Sequence, residues 1–241
     1  MKLRLNFILF TLAVLTGLTG HAISNGIPLS KNEYPAVVLI EDLGQKSIGT
    51  GVVIGNGTIL TAEHCVFSKD PKKIRINGQA IVSKILVDST ATAATRLDLA
   101  LLKVDPKSSK TTLPLAQFEL PPPPFEVAII GYGSAFKAGQ PLEQDNRVVK
   151  RIGKNEISSP DFISDLYFNL EFEWEPFDKS KPSGALPGDS GGPMLLDETV
   201  IGIASKSTFL SNYVNLLGPR AQAFFKKAVS TGWKIDFVQS Q

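Results

Sequence analysis

Residues 187–193 read Pro187-Gly188-Asp189-Ser190-Gly191-Gly192-Pro193. On its own such a run can be a plain turn, because Gly and Asp suit tight turns. Two earlier segments change its meaning. Leu60-Thr61-Ala62-Glu63-His64-Cys65 carries a histidine, and Arg96-Leu97-Asp98-Leu99-Ala100-Leu101-Leu102 opens an apolar strand with an acid. An unpartnered carboxylate there would be costly to bury. Serine, histidine and aspartate share one chemistry. A serine hydroxyl is a weak nucleophile at neutral pH and needs a base. An imidazole titrates near the working pH and can return the proton to a leaving amine. A carboxylate behind the imidazole fixes its tautomer and stabilises the imidazolium. The candidates are therefore Ser190 as nucleophile, His64 as base and Asp98 as the supporting acid. Asp88 is a rival acid, but its Ser/Thr/Ala-rich surroundings read as loop.

The rest of the chain reads as β-structure. Its 241 residues are 43% apolar and 20% charged, with 20 Gly and 16 Pro. Many turn residues spread along a chain favour short strands. The runs Ala36–Ile40, Val52–Ile54, Thr58–Thr61, Lys73–Ile76, Ala80–Val82 and Leu99–Leu102 suit strands in the first half. Asn56-Gly57 and Asn77-Gly78 lie between such runs, where Asn and Gly tolerate the positive φ of a hairpin turn. Residues 105–124 are polar and end in four prolines, so they read as a connector. Further strands are expected near Val127–Gly133, Val148–Ile152, Leu166–Phe172, Met194–Leu196 and Val200–Ala204. Pro219 suits a helix start, and Ala221, Phe224, Phe225 and Ala228 follow at helical spacing.

The first 22 residues read as a secretory signal peptide. Lys2 and Arg4 precede an apolar stretch from Phe7 to Leu15, and small residues lead to Ala22. The unbroken apolar part is short for a membrane span of about 20 residues. Cleavage after Ala22 takes away two bases and no acid, leaving 23 of each. That balance gives no case for nucleic acid or for an anionic membrane. Cleavage also removes His21, leaving His64 as the sole histidine and excluding a multi-histidine metal site. Cys65 is the only cysteine, so no internal disulfide can form.

The order His64, Asp98, Ser190 and the residues around each resemble the trypsin/chymotrypsin family of serine proteases. The resemblance implies an all-β fold of two six-stranded antiparallel barrels with a C-terminal α-helix. The N-terminal barrel would span 23–120 and the C-terminal barrel with the helix 121–241, together one peptidase domain. It implies an oxyanion hole from the Gly188 and Ser190 amides, and substrate contacts at Gly184, Ser205, Lys206 and Ser207. Ser205 would also support Asp98. Ile23-Ser24-Asn25-Gly26 resembles the family's mature start, whose new ammonium pairs with the acid before the nucleophile, here Asp189. Signal cleavage would then produce the activating terminus without a separate propeptide.

The chain also departs from the family. The usual cysteine partner of Cys65 is replaced by Gly49, and the cysteine four residues before the nucleophile by Leu186. Gly184 stands where an Asp would select Lys or Arg, so trypsin-like preference is not expected. A small uncharged base suits modest apolar side chains. Lys206 replaces the usual tryptophan; as a cation it could favour acidic residues, or it could simply face solvent. The alternating Glu171-Phe172-Glu173-Trp174-Glu175 reads as an edge strand with a charged face.

The expected function is a secreted or periplasmic serine endopeptidase that needs no cofactor and no metal. Expected partners are peptide or protein substrates and protein inhibitors. Neither nucleic acid nor stable membrane insertion is expected, and the protein is expected to be a monomer. The alternative is a protease fold that no longer cleaves and serves as a binding module. An esterase of the Gly-x-Ser-x-Gly type would place its histidine after the serine, the reverse of the order here.

Overall fold

The computed structural model describes residues 23–88, 97–108, 111–133, 148–172, 180–207 and 210–238. The expected signal segment lies outside these residues, as do Arg96 and Glu173 to Glu175.

Two antiparallel sheets carry the chain. The first has the strand order 80–81, 74–76, 37–42, 47–55, 58–61, 100–103, 84–87. The second runs 27–28, 151–157, 125–131, 193–196, 199–207, 210–215, 167–171. Two short strands add in parallel: Leu115–Ala116 pairs with the Thr199–Ser207 strand of the second sheet, and Phe237–Val238 pairs with Leu115–Ala116. Leaving out the two-residue strands leaves six in each sheet, as expected for a pair of six-stranded units. Five strands escape a reading of the sequence: Lys84–Val87, Leu210–Asn215 and the two-residue Ile27–Pro28, Leu115–Ala116 and Phe237–Val238, with Leu115–Ala116 inside the stretch read as a connector.

Local sequence explains the strands. Arg151–Ile157 buries Gly153, Asn155 and Ile157 while Lys154 and Glu156 face water, the period-2 pattern of a sheet with one wet face. Ser47–Gly55 is buried along its last seven residues, since it runs through the middle of the first sheet. Its hairpin partner Thr58–Thr61 follows Asn56-Gly57, and Gly57 takes φ +70.

The single helix among the described residues, Pro219–Ser230, starts on the proline that the sequence suggested. Its buried residues Ala221, Phe224, Phe225 and Ala228 repeat at i, i+3, i+4, i+7 and form one face. That face joins the larger core cluster, which holds the first sheet's buried residues together with Ile130, Leu195, Val200, Ile203 and Val214 of the second. Phe225 is fully buried, which favours the docked helix by about 1.5–3 kcal/mol. The tail beyond the helix continues the crossing: the Asp236 amide donates to Ile54 O at 2.7 Å, and the Leu115 amide donates to Asp236 O at 2.9 Å. The N-terminal segment crosses the other way. Ile23 packs in the core of the second sheet, while the strand beginning at Val37 belongs to the first. Each end of the described chain thus straps one sheet to the other, in a protein that has no disulfide.

Candidate active site

His64 lies on the short 3-10 turn Glu63–Val66 that follows the strand Thr58–Thr61. Asp98 lies just before the strand Ala100–Lys103. These strands are neighbours, with Thr61 opposite Ala100, so the pair meets because two adjacent strands end together. Asp98 Oδ2 is 2.7 Å from His64 Nδ1, and Oδ1 accepts from the His64 amide at 3.0 Å. Ser205, from the second sheet, donates to Oδ2 at 2.7 Å. Burial alone would raise the Asp98 carboxyl, but the hydrogen bonds from His64 and Ser205 and the His64 charge outweigh it and hold it below its ordinary range. An ionised Asp98 takes the Nδ1 proton as its hydrogen bond, which leaves the Nε2 lone pair available. Asp88, the rival acid, sits elsewhere, in a cavity of about 210 Å³ beside Phe224 and Lys227 of the helix.

Ser190 is held by the sheet that carries His64. The Ser190 carbonyl accepts from the Thr50 amide at 2.7 Å and from Cys65 Sγ at 3.2 Å. Thr50 Oγ1 donates to Gly188 O at 3.1 Å and accepts from the Tyr132 amide at 2.9 Å. On the other side, the Gly191 amide donates to Ala204 O and the Ala204 amide to Gly192 O, at 2.7 and 2.9 Å. Gly188 (φ +94) and Gly191 (φ +83) occupy backbone space that L side chains rarely adopt. Among the described residues, neither the Gly188 nor the Ser190 amide has an internal acceptor. Two preset donors beside a nucleophile can receive a developing oxyanion.

Asp189 points the other way, into the protein. It is fully buried; Oδ2 accepts from the Ile23 nitrogen at 2.7 Å and from the Leu186 amide at 2.8 Å, and Oδ1 from the Gly133 amide at 2.8 Å. Burial pushes its carboxyl up to about 6, against these hydrogen bonds and the charge of Arg151. The neighbouring Ser24 exchanges two bonds with Gly184, each 2.8 Å, so the Ile23 end is clamped at both residues.

A cavity of about 260 Å³ opens beside Ser190, lined by residues 185–187, Ser190 and 204–207. Ser205, Lys206 and Ser207 therefore stand together at the candidate substrate site, with Lys206 exposed. Gly184 lies behind the wall, and a Cβ there would run into the Phe172 ring. Phe172 faces inward, as alternation with Glu171 requires; it is 8% exposed and closes the space below Gly184. Glu171 does face outward, at the end of the edge strand Tyr167–Glu171. A Cβ on Gly49 would sit 2.5 Å from Cys65 Sγ, so the missing bridge partner belongs at this spot. Burial pushes the Cys65 thiol up to about 12, which keeps it unreactive.

Of the expected residues, the structure joins His64, Asp98 and Ser205 by hydrogen bonds, places Ser190 in one cavity with Ser205, and joins Ile23 to Asp189; Thr50, Phe172, Gly133 and Arg151 stand beside them without having been foreseen. Nothing local distinguishes these four, since each acts through a contact far along the chain. Among the described residues no group of three His, Cys, Asp or Glu could hold a metal.

Comparison with known proteins agrees with this layout. A family model described as Trypsin matches residues 23–214. A protein of Arabidopsis thaliana, provisionally named protease Do-like 3, mitochondrial, is 27% identical over 175 residues. That alignment takes in 72% of this chain and 28% of the relative, so the chain spans little more than a quarter of the plant protein's length. Among solved structures, the scabies mite inactivated protease paralogue superposes with a TM-score of 0.62 at 17% identity, covering 84% of this chain and 99% of that one. A double mutant of human heparin binding protein gives 0.65 at 16% identity, covering 88% and 99%. At such identity these two matches speak for the fold alone.

Proposed function

This chain belongs to the trypsin family, and from that premise we propose that it is an exported serine endopeptidase using Ser190, His64 and Asp98. The observation that carries the reading is the Asp98 carboxylate, which engages the His64 ring, the His64 amide and Ser205 at once. Those bonds orient the imidazole with Nε2 as its basic nitrogen.

The chemistry follows from that orientation. Ser190 Oγ attacks the scissile carbonyl carbon, and its proton moves to His64 Nε2. The carbonyl π pair becomes an oxyanion that accepts from the Gly188 and Ser190 amides. Collapse of this intermediate breaks the C–N bond, and the leaving amine takes the proton from His64. Water then repeats the sequence on the acyl-enzyme, giving its proton to His64 and releasing the carboxylic acid with Ser190 restored. Asp98 stays ionised throughout and stabilises the imidazolium.

The second part of the proposal concerns activation. Cleavage of a signal peptide after Ala22 frees the Ile23 ammonium at 2.7 Å from Asp189 Oδ2. A fully buried carboxylate requires such a partner. Export to a secreted or periplasmic location and activation would then be one event. N-terminal sequencing of the exported protein checks this; full activity with a start other than Ile23 would overturn it.

The rival reading is a binding module on the same fold, for which the mite paralogue named as inactivated is a structural parallel. A serine-directed fluorophosphonate separates the two. Labelling of the mature protein that disappears in Ser190→Ala supports the enzyme. A correctly processed protein that takes up no label is the binding module. Digestion of a peptide library then distinguishes a protease from an esterase.

A further inference from the structure

The cavity beside Ser190 has aliphatic walls from Ala185, Leu186 and Ala204. Its polar groups are hydroxyls, and their directions are set by a buried relay. The Ala185 amide donates to Ser211 Oγ at 2.8 Å. An amide can only donate, so Ser211 uses a lone pair there and must send its own proton elsewhere. Ser211 is fully buried, and among the described residues the one acceptor it meets is Ser207 Oγ, at 3.4 Å across the hairpin. Leaving a buried hydroxyl proton without an acceptor is costly, so Ser211 donates and Ser207 accepts. Ser207 lines the cavity and its proton is then free to point into it. The 3.4 Å contact is long for two hydroxyls, and Ser207 can turn its own proton toward a guest while its oxygen still accepts from Ser211. Ser205 offers no such proton, because it is already donated to Asp98.

We propose that Ser207, set by Ser211 and the Ala185 amide, makes this cavity a subsite for a substrate side chain with a short methylene stem and a terminal hydrogen-bond acceptor. The carboxamide of Gln and the carboxylate of Glu are the matching chemistry. The stem lies along the aliphatic walls and the terminal oxygen accepts from Ser207 Oγ. The Phe172 ring under Gly184 limits the depth. No carboxylate lines the cavity, so Lys or Arg would enter without a partner. Lys206 at the opening adds a positive charge, which acts on the carboxylate and not on the carboxamide. The inference rests on the peptidase reading, because it assigns the cavity to the residue on the acyl side of the cleaved bond.

The test separates the two proposals by measuring binding without turnover. Fluorescent tetrapeptides ending in Gln, Glu or Met, as cleavage products would, are titrated by fluorescence polarisation into the mature Ser190→Ala protein. Met matches the length of the other two but has no oxygen. The Gln or Glu peptide is expected to bind at least about tenfold more tightly than the Met peptide. A Gln-over-Glu or Glu-over-Gln order then shows whether the carboxamide or the carboxylate is the natural guest. Adding Ser207→Ala should shrink the ratio to Met at least about threefold, and Ser211→Ala should shrink it as well by freeing Ser207 to turn inward. Thermal melts confirm that each variant is folded, and either variant alone suffices. Equal or tighter binding of the Met peptide, binding of none of the three, or a ratio that both variants leave unchanged would overturn the proposal. Fluorophosphonate labelling of the wild type reports on the peptidase reading separately.

Discussion

The two halves of the site are assembled by different means. In the first sheet, His64 and Asp98 meet because the strands Thr58–Thr61 and Ala100–Lys103 lie side by side and end together. That contact is a direct consequence of the sheet. In the second, the Ser190 loop has no regular structure of its own. It is set by a buried carboxylate, Asp189, reaching Ile23, and by Thr50, a residue of the opposite sheet. The proposed base and its acid therefore come with the fold, whereas the loop of the proposed nucleophile is tied through Asp189 to Ile23, 166 positions away. A precursor would hold half of its site ready and the other half conditional.

The two carboxylates make that contrast measurable. Asp98 is held below the ordinary range and Asp189 is pushed up to about 6, so they bear on stability with opposite signs. Asp98 stabilises the fold above its unfolded value of 3.8, and the contribution disappears as acid protonates it in the folded state. Asp189 in the uncleaved chain binds its proton more tightly when folded than when unfolded. Stability from this group is present below 3.8 and is lost as pH rises through about 6.

The largest expected effects fall on catalysis. Ser190→Ala or His64→Ala should lower kcat about 10⁵- to 10⁶-fold in a peptide assay, with melting temperature nearly unchanged. Asp98→Asn should cost about 10⁴-fold, since the imidazole then settles in the wrong tautomer. Equal losses at all three positions would show that Asp98 does more than orient His64.

Asp189→Asn comes next. It should cost the mature protein about 3–5 kcal/mol in urea unfolding, because the Ile23 ammonium is left buried and unpaired. The same change in a chain extended before Ile23 should be near neutral or stabilising. An equal loss in both forms would break the contrast between ready and conditional halves.

The pH dependence is smaller. An N-terminally extended chain should lose up to about 3 kcal/mol of stability between pH 4 and 6, the cost of ionising Asp189 without an ammonium. The mature chain should show no such fall. Parallel thermal melts across this range compare them directly.

Thr50→Val should have the smallest effect. It removes the hydroxyl that donates to Gly188 O and accepts from the Tyr132 amide, at a cost of about 1–3 kcal/mol. Activity should fall more than His64 reactivity towards a small alkylating agent, since only the Ser190 side is loosened.

Much of this molecule is legible in its residues. His64, the acid opening an apolar strand and the glycine-flanked serine are enough to put forward the proposed chemistry without any coordinates. Pro219 and the spacing from Ala221 to Ala228 mark the helix start and its buried face, because a helix face is a local periodicity. The strand Leu115–Ala116 resisted reading, since two residues carry no period and its partners, Val200 and Phe237–Val238, lie far along the chain.

The sequence by itself thus determined the family frame and the candidate reactive groups within it, because those residues cluster in short, ordered motifs. The tertiary structure alone decided what holds them and what the cleft accepts. Phe172 under Gly184 and Ser211 behind Ser207 follow from how the second sheet's strands and loops pack, and Thr50 over Gly188 joins residues 138 positions apart across the two sheets. No short motif encodes such neighbours; they follow from strand pairing and from how the two sheets close on each other.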